Sequence, residues 1–315
     1  MELWFLGTSA GMPVPERNVT SIVLRMSQSG GKFWMFDCGE GTQHQLMRMP
    51  FRLTRLEKLF ITHLHGDHIF GLPGLLSSRS SLGATEPLDL YGPEGIREFI
   101  ESALRISGSH LSYTLQIHEI DEGTIYEDET YKVETAKLEH RVDSFGFRVT
   151  EHPRSGTLNA ELLAEMGIPA GPEYGRLKAG QDVLLEDGRT IHSVDVTGSP
   201  LPGRVIVVLG DTKPCRSAVE LARDADLLVH EATFGHELVE KAEEYGHSTA
   251  LQAAQIAQAA GIKWLILTHF STRYKLGDLV LLEEEARTVF EHTDAALELQ
   301  PYEIPHAALT SDANE

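Results

Sequence analysis

Residues 63–68 read His63-Leu64-His65-Gly66-Asp67-His68. Imidazoles and a carboxylate crowded this closely gain little from one another, and a bound cation explains the crowding best. The preceding Leu59-Phe60-Ile61-Thr62 is strand-like. On an extended segment, side chains two apart share a face, so His63 and His65 can grip one ion. Gly66 lets the backbone turn and aims Asp67 and His68 at a second. Zinc takes imidazole nitrogen and carboxylate oxygen at about 2.0–2.2 Å, and one ion does not readily use all four groups at this spacing. The run therefore predicts a metal pair.

The same pattern recurs along the chain. Apolar stretches at 133–138, 204–209, 227–229 and 265–268 run directly into His140, Asp211, His230-Glu231 and His269. Strands that deliver polar residues to one edge are how α/β folds build sites. Each ion needs three protein ligands and an open position. The expected sets are His63, His65 and His140 for one ion, and Asp67, His68 and His269 for the other, with Asp211 bridging. Helices are expected between the strands at 94–106, 217–224, 248–260 and 282–291. Ser248 or Thr249 can cap the third and Gly261 can close it. Short segments at 3–6, 21–25 and 33–36, joined by glycine-rich turns, predict an antiparallel sheet at the start of the chain.

Composition bounds the rest. A chain of 315 residues, 41% hydrophobic and 23% charged, is ordinary for a globular α/β protein. With only Cys38 and Cys215 there is no disulfide framework, and a reducing compartment is expected. No apolar run is long enough to span a membrane, and the first residues lack the pattern of a signal peptide. A cytoplasmic location is therefore expected. The net charge of −20 opposes binding to a phosphate backbone, which normally rests on Lys and Arg. From 154 to 187 the pattern is broken by Gly156, Gly167, Pro169, Gly171, Pro172, Gly175 and Gly180. Apart from a short helical piece at 160–166 this stretch has no strong apolar period. It reads as an insertion, at about 151–190, in a single domain covering 1–315. Residues 311–315 read as a disordered tail.

The run at 63–68 resembles the HxHxDH signature of the metallo-β-lactamase superfamily, with His140, Gly210-Asp211-Thr212 and Thr268-His269 in that superfamily's order. More narrowly, the chain resembles ribonuclease Z, the tRNA 3′-processing endonuclease, in its short bacterial form, and looks closest to the enterobacterial type also called ribonuclease BN. The segments that carry this are Gly7-Thr8-Ser9-Ala10-Gly11, Arg17-Asn18-Val19-Thr20, Phe36-Asp37-Cys38-Gly39-Glu40-Gly41-Thr42-Gln43, Gly71-Leu72-Pro73-Gly74-Leu75-Leu76, His230-Glu231-Ala232-Thr233 and Gly246-His247-Ser248-Thr249.

The resemblance implies a four-layer αββα sandwich of two mixed sheets flanked by helices, with a protruding arm. It implies two zinc ions per chain, with manganese or cobalt as substitutes, and a homodimer. It also implies removal of the 3′ trailer from precursor tRNA by metal-activated hydroxide attack. Asp67 would accept the water's proton, His247 would serve the departing 3′ oxygen, and Glu231 would orient His247. The inserted stretch looks like the arm that grips tRNA, yet around its Arg154, Arg176, Lys178 and Arg189 stand Glu151, Glu161, Glu165, Glu173, Asp182, Glu186 and Asp187. Arg176 and Lys178 are the expected arm contacts. Arg17, Arg273 and Tyr274 are the expected contacts near the active edge. The competing readings are a thioester, lactam or sulfate-ester hydrolase on the same metal core, and a non-catalytic nucleic-acid-binding relative.

Overall fold

The computed structural model describes residues 1–26, 30–185, 187–198 and 201–306. The early strands are β1 (Glu2–Gly7), β2 (Ser21–Arg25), β3 (Phe33–Phe36), β4 (Leu56–Phe60), β5 (Leu88–Gly92) and β6 (Leu115–Glu119). The first three pair antiparallel, with Leu3 opposite Leu24 and Ile22 opposite Phe36. The expected antiparallel sheet stops there, because β4, β5 and β6 add in parallel. Parallel neighbours need a crossover. Helices supply it: α1 (Thr42–Leu46) and α2 (Gly66–Ile69) flank β4, then α3 (Leu72–Ser81) precedes β5 and α4 (Ile96–Ser107) precedes β6.

Further strands are β7 (Gly123–Glu127), β8 (Tyr131–Leu138) and β9 (Ser144–Glu151). After residues 152–204 come β12 (Val205–Leu209), β13 (Leu227–Glu231), β14 (Leu265–Thr268), β15 (Thr293–Ala295) and β16 (Pro301–Glu303). The last joins the first sheet beside β1, and β15-β14-β13-β12-β9-β8-β7 form the second. Side chains alternate between the faces of each strand. Ile22, Leu24, Phe36 and Phe60 therefore meet Phe145 and Phe147 between the sheets. Val23, Met35 and Leu59 point the other way, onto Leu72, Leu75, Ile96 and Ile100 of the outer helices. Strands buried on both faces read as continuous apolar runs. Two mixed sheets flanked by helices are the sandwich that the metallo-β-lactamase resemblance implies.

Packed on the second sheet lie α8 (Arg216–Ala222), α10 (Ala250–Ala260) and α11 (Leu279–Arg287), while α9 (Val239–Tyr245) follows β13. Of the two candidate caps, Thr249 caps α10, in a reciprocal pair with Gln252. Ser248 is drawn away because its Oγ donates to the Thr212 carbonyl at 2.7 Å. Gly261 closes the helix at φ 66°, a left-handed conformation that costs glycine little.

Residues 150–204, with 305–306, cluster as a separate compact unit. It holds α5 (Ala160–Glu165), α6 (Pro172–Lys178), a hairpin of β10 (Val183–Leu184) and β11 (Thr190–Ile191), and α7 (Ser193–Val196). Asn159 Oδ1 caps α5 by accepting from the Leu162 amide at 2.9 Å. The unit is more ordered than its sequence suggests. Leu163, Ile168, Leu177, Val183, Ile191 and Val196 form a small core, at intervals too irregular to register as one period. At its base Glu151, fully buried, takes the Arg204 guanidinium at 2.7 Å and also pairs with Arg154. The expected tail at 311–315 and Glu186 lie outside the described residues.

Candidate metal centre

The polar residues expected at strand ends do converge. His63 follows β4, His140 follows β8, Asp211 follows β12, Glu231 ends β13 and His269 follows β14. His63 Nε2 lies 3.0 Å from His65 Nδ1, and His140 Nε2 lies 3.3 Å from that same atom. Asp211 Oδ2 stands 3.6 Å from His63 Nε2. A second group closes beside the first. His269 Nε2 is 3.2 Å from Asp67 Oδ2 and 3.4 Å from His68 Nε2. Asp211 Oδ2 reaches this group too, 3.6 Å from His68 Nε2 and 3.3 Å from His269 Nε2.

These spacings are a test of metal fit. Tetrahedral ligands about 2.0–2.1 Å from a zinc ion stand roughly 3.3–3.4 Å from one another. The measured 3.0–3.6 Å scatter about that edge. The donors also come in the right chemical form. His68 Nδ1 donates to Asp37 Oδ2 at 2.7 Å, and His140 Nδ1 donates to the Gly246 carbonyl at 2.6 Å. His269 Nδ1 donates to Thr233 Oγ1 at 3.0 Å, and that hydroxyl in turn donates to Glu231 Oε2. Each contact occupies Nδ1 as a donor and turns Nε2 into the cluster, the orientation a metal ligand needs. Three donor sets could each hold a divalent cation: His63, His65, His140 and Asp211; Asp67, His68 and His269; and the overlapping Asp211, His247 and His269.

Charge supports the arrangement. Burial works against ionising Asp211, yet His269, His68 and His63 hold its carboxyl well below the usual range. Asp67 is likewise held low, against burial, by His68 and His269. Burial lowers His63 far below an ordinary histidine, with His68 adding to the effect. His68 goes the other way, because Asp211, Asp37 and Asp67 outweigh burial, so a cation taken at its Nε2 displaces a proton. Asp37 had no expected role. Its Oδ1 and Oδ2 accept from the Thr62 amide and hydroxyl at 2.8 and 2.9 Å, and it sits at φ 58°. His269 sits at φ 56°. Non-glycine residues in this region cluster at functional sites.

Glu231 is the hub behind the cluster. Expected to orient His247, it is 1% exposed. Oε1 accepts from the Thr212 amide at 2.9 Å and from His247 Nδ1 at 2.8 Å. One carboxylate thus fixes His247 directly and His269 through Thr233. Burial would lower the His247 pKa, but Glu231 first, then Asp211 and Asp67, lift it to about 9. His247 Nδ1 is 3.9 Å from Asp211 Oδ2, so the imidazolium borders the cluster. In front lies a cleft of about 340 Å³ lined by His65, Asp67, His247 and His269, together with Phe234, Lys241, Tyr245 and Arg273.

Comparison with known proteins places the chain in a family. Ribonuclease Z of Lactiplantibacillus plantarum is 51% identical over 306 residues, which cover 97% of this chain and 98% of that one. Ribonuclease Z of Listeria innocua is 51% identical over 304 residues, covering 96% and 99%. The chain belongs to the ribonuclease Z family. The short form of human tRNase Z is similar in structure, with a TM-score of 0.70 and 33% identity over 97% of this chain and 100% of that one. The metallo-β-lactamase fold protein YhfI of Bacillus subtilis, at TM-score 0.67 and 18% identity over 96% of this chain and 98% of that one, shares the fold. A family described as anti-Pycsar protein Apyc1 matches residues 1–156. That match contains the histidine run but ends before Asp211, Glu231, His247 and His269. As a ribonuclease Z family member the chain is a metal-dependent hydrolase, an endoribonuclease that uses divalent cations.

Against this family background the expected substrate contacts divide. Arg273 is exposed on the cleft wall, its guanidinium 5.3 Å from the Phe234 ring centroid. Arg17 is not open to substrate. It is 2% exposed, and its guanidinium donates to the carbonyls of Phe270, Ser271 and Tyr274 at 3.2, 3.3 and 2.7 Å. Sequence shows its charge but not its burial. Tyr274 is half engaged, its hydroxyl accepting from the Gly235 amide at 2.8 Å and donating to Glu237 at 3.3 Å. Arg176 and Lys178 are exposed on α6, with no ion pair among the described residues. Gly11, quoted only as part of the first loop, donates its amide to Asp67 Oδ2 at 2.7 Å.

Proposed function

We propose that this chain removes the 3′ trailer from precursor tRNA as a two-zinc phosphodiesterase. The observation that carries the proposal is the buried Glu231–His247 couple beside the ligand cluster, in a chain so similar to ribonuclease Z. The assigned ligands are His63, His65 and His140 for one ion, and Asp67, His68 and His269 for the other, with Asp211 shared. Imidazole and carboxylate donors in this geometry suit zinc, and manganese or cobalt can stand in. When bound, the ions would supply Lewis-acid activation of a water and of the phosphoryl group.

The chain's own groups handle the protons. Asp67 is kept ionised by His68 and His269, and its Oδ2 is held by the Gly11 amide. It takes the attacking water's proton as the new P–O bond forms. His247 is protonated at neutral pH because Glu231 stabilises its charge. With Nδ1–H on Glu231, its Nε2–H is free to protonate the departing 3′ oxygen. The products are a tRNA with a 3′ hydroxyl and a trailer with a 5′ phosphate. The unit at 150–204, through Arg176 and Lys178, is the proposed grip on the body of the tRNA. By the same family likeness we infer a homodimer in the cytoplasm.

The test is substrate choice. Holoenzyme given trailer-bearing pre-tRNA, an acyl thioester, a β-lactam and an aryl sulfate should cleave the RNA at least 100-fold more efficiently. Comparable turnover of any of the other three would overturn the reading.

A further inference from the structure

The acidic balance of the chain leaves open how an RNA strand is held at the metal centre, and the cleft wall offers an answer. Tyr245, the last residue of α9, is 40% exposed at the cleft. Two cations converge on its ring: Lys241 Nζ lies 5.7 Å and the Arg141 guanidinium 5.8 Å from the ring centroid. Neither has a carboxylate partner within ion-pair distance among the described residues. Their neighbour Lys213, in contrast, is held by Glu139 and Glu243.

The backbone joins this group to the first ligand set. Arg141 follows His140, and Gly246 after Tyr245 accepts from His140 Nδ1 at 2.6 Å. A Cβ on Gly246 would lie 3.1 Å from both His140 Nδ1 and Arg141 Cγ, and its φ of 78° favours glycine as well. The group is therefore rigidly indexed to that ligand. Phe234 and Arg273 stand in the same cleft beside the second set, since Thr233 holds His269. A cation–aromatic pair thus borders each ligand set, and one phosphate held between the sets has a neighbouring nucleotide on either side.

We propose that Arg141, Lys241 and Tyr245 form a single-stranded nucleotide subsite, the two cations holding the phosphate next to the scissile one and the ring stacking its base. Aromatic rings with Lys and Arg beside them bind single strands with little sequence preference. Concentrating cations here also lets an acidic chain bind RNA where the chemistry occurs. The subsite rests on the pre-tRNA reading above.

The experiment compares wild-type holoenzyme with R141A/K241A on trailer-bearing pre-tRNA, across a range of KCl concentrations. Each lost contact to a single strand flattens the dependence of log affinity on log salt by about 0.7, so the double variant should flatten that of KM by about 1.4. KM at physiological salt should rise roughly tenfold or more, with the loss falling on KM rather than kcat. R141K/K241R, which keeps both charges, should restore the slope, and Tyr245→Leu should raise KM without changing it. Metal content serves as the integrity control. An unchanged slope in R141A/K241A with its metals intact would overturn the subsite. If R141K/K241R fails to restore the slope, shape rather than charge is responsible and the subsite is again overturned. A wild type that neither binds nor cleaves pre-tRNA would overturn the function itself, which separates the two failures.

Discussion

The metal-bearing unit and the unit at 150–204 are built on opposite principles. In the first, the decisive residues are buried or half-buried polar groups, each held from more than one side: Asp37 by Thr62 and His68, Glu231 by Thr212, Thr233 and His247, and Asp67 by Gly11 and His269. In the second, a few apolar side chains form a small core, and the charged groups are mostly at the surface. Buried polar groups tolerate little displacement, because each lost partner leaves an uncompensated donor or acceptor. The contrast teaches that the chemistry is fixed by overdetermined geometry, whereas the proposed grip on RNA needs only a folded platform that presents two cations.

The sharpest way to break this contrast is at Asp211. Asp211→Ala removes the oxygen near both ligand groups and should cut metal content from two ions per chain to one or fewer, with turnover falling by at least 1000-fold. A fully loaded, active variant would contradict the shared-ligand assignment. Next is His247→Ala, which should keep both metals by elemental analysis yet lose about 100- to 10,000-fold in kcat, the usual contribution of a positioned acid. Loss of metal in that variant would make His247 a ligand. Deleting 167–180 addresses the other side of the contrast. It removes Ile168 and Leu177 from the small core along with Arg176 and Lys178. Pre-tRNA cleavage should fall at least 10-fold, while hydrolysis of bis(p-nitrophenyl) phosphate persists. Equal loss on both substrates would mean the unit supports the metal centre structurally.

The smallest effect concerns a carboxyl that holds the first loop. Glu298 Oε1 accepts from the Thr8 and Asn18 amides, each at 2.9 Å, and thereby anchors the segment that brings Gly11 to Asp67. Burial raises its pKa from 4.5 to about 7. The folded state therefore prefers the protonated form. The stability it contributes is fully present below pH 4.5 and is lost as pH rises through 7. Glu298→Gln keeps an acceptor without the charge, so relative to wild type it should gain about 1.4 kcal/mol in urea unfolding between pH 6 and 8.5, nearly all of it below pH 7.5. A pH-independent difference would show that Glu298 is not the group that titrates.

Much of the metal-bearing unit was legible because one physical rule repeats: an apolar strand ends in a ligand. The same rule would have found Asp37, which follows β3 as His63 follows β4. Thr233, the Gly246 carbonyl and the Gly11 amide were not legible, since hydroxyls and backbone groups near a site look like those anywhere else. Arg17 misled because a cation near a functional motif looks the same whether it faces substrate or a set of carbonyls. The unit at 150–204 was legible mainly as a break in pattern. Its core residues come from short helices and a two-residue hairpin, too brief for any periodicity to emerge.

The central claim is that seven converging ligands and the Glu231–His247 couple cut an RNA phosphodiester at the 3′ end of tRNA. The most direct test is end-mapping of products from trailer-bearing pre-tRNA before chelation, after chelation, and after zinc is restored. The account predicts one endonucleolytic cut leaving a 3′ hydroxyl on the tRNA and a 5′ phosphate on the trailer, abolished by chelation and recovered with about two zinc ions per chain. Cleavage that survives metal removal, or a 2′,3′-cyclic phosphate at the new end, would contradict it.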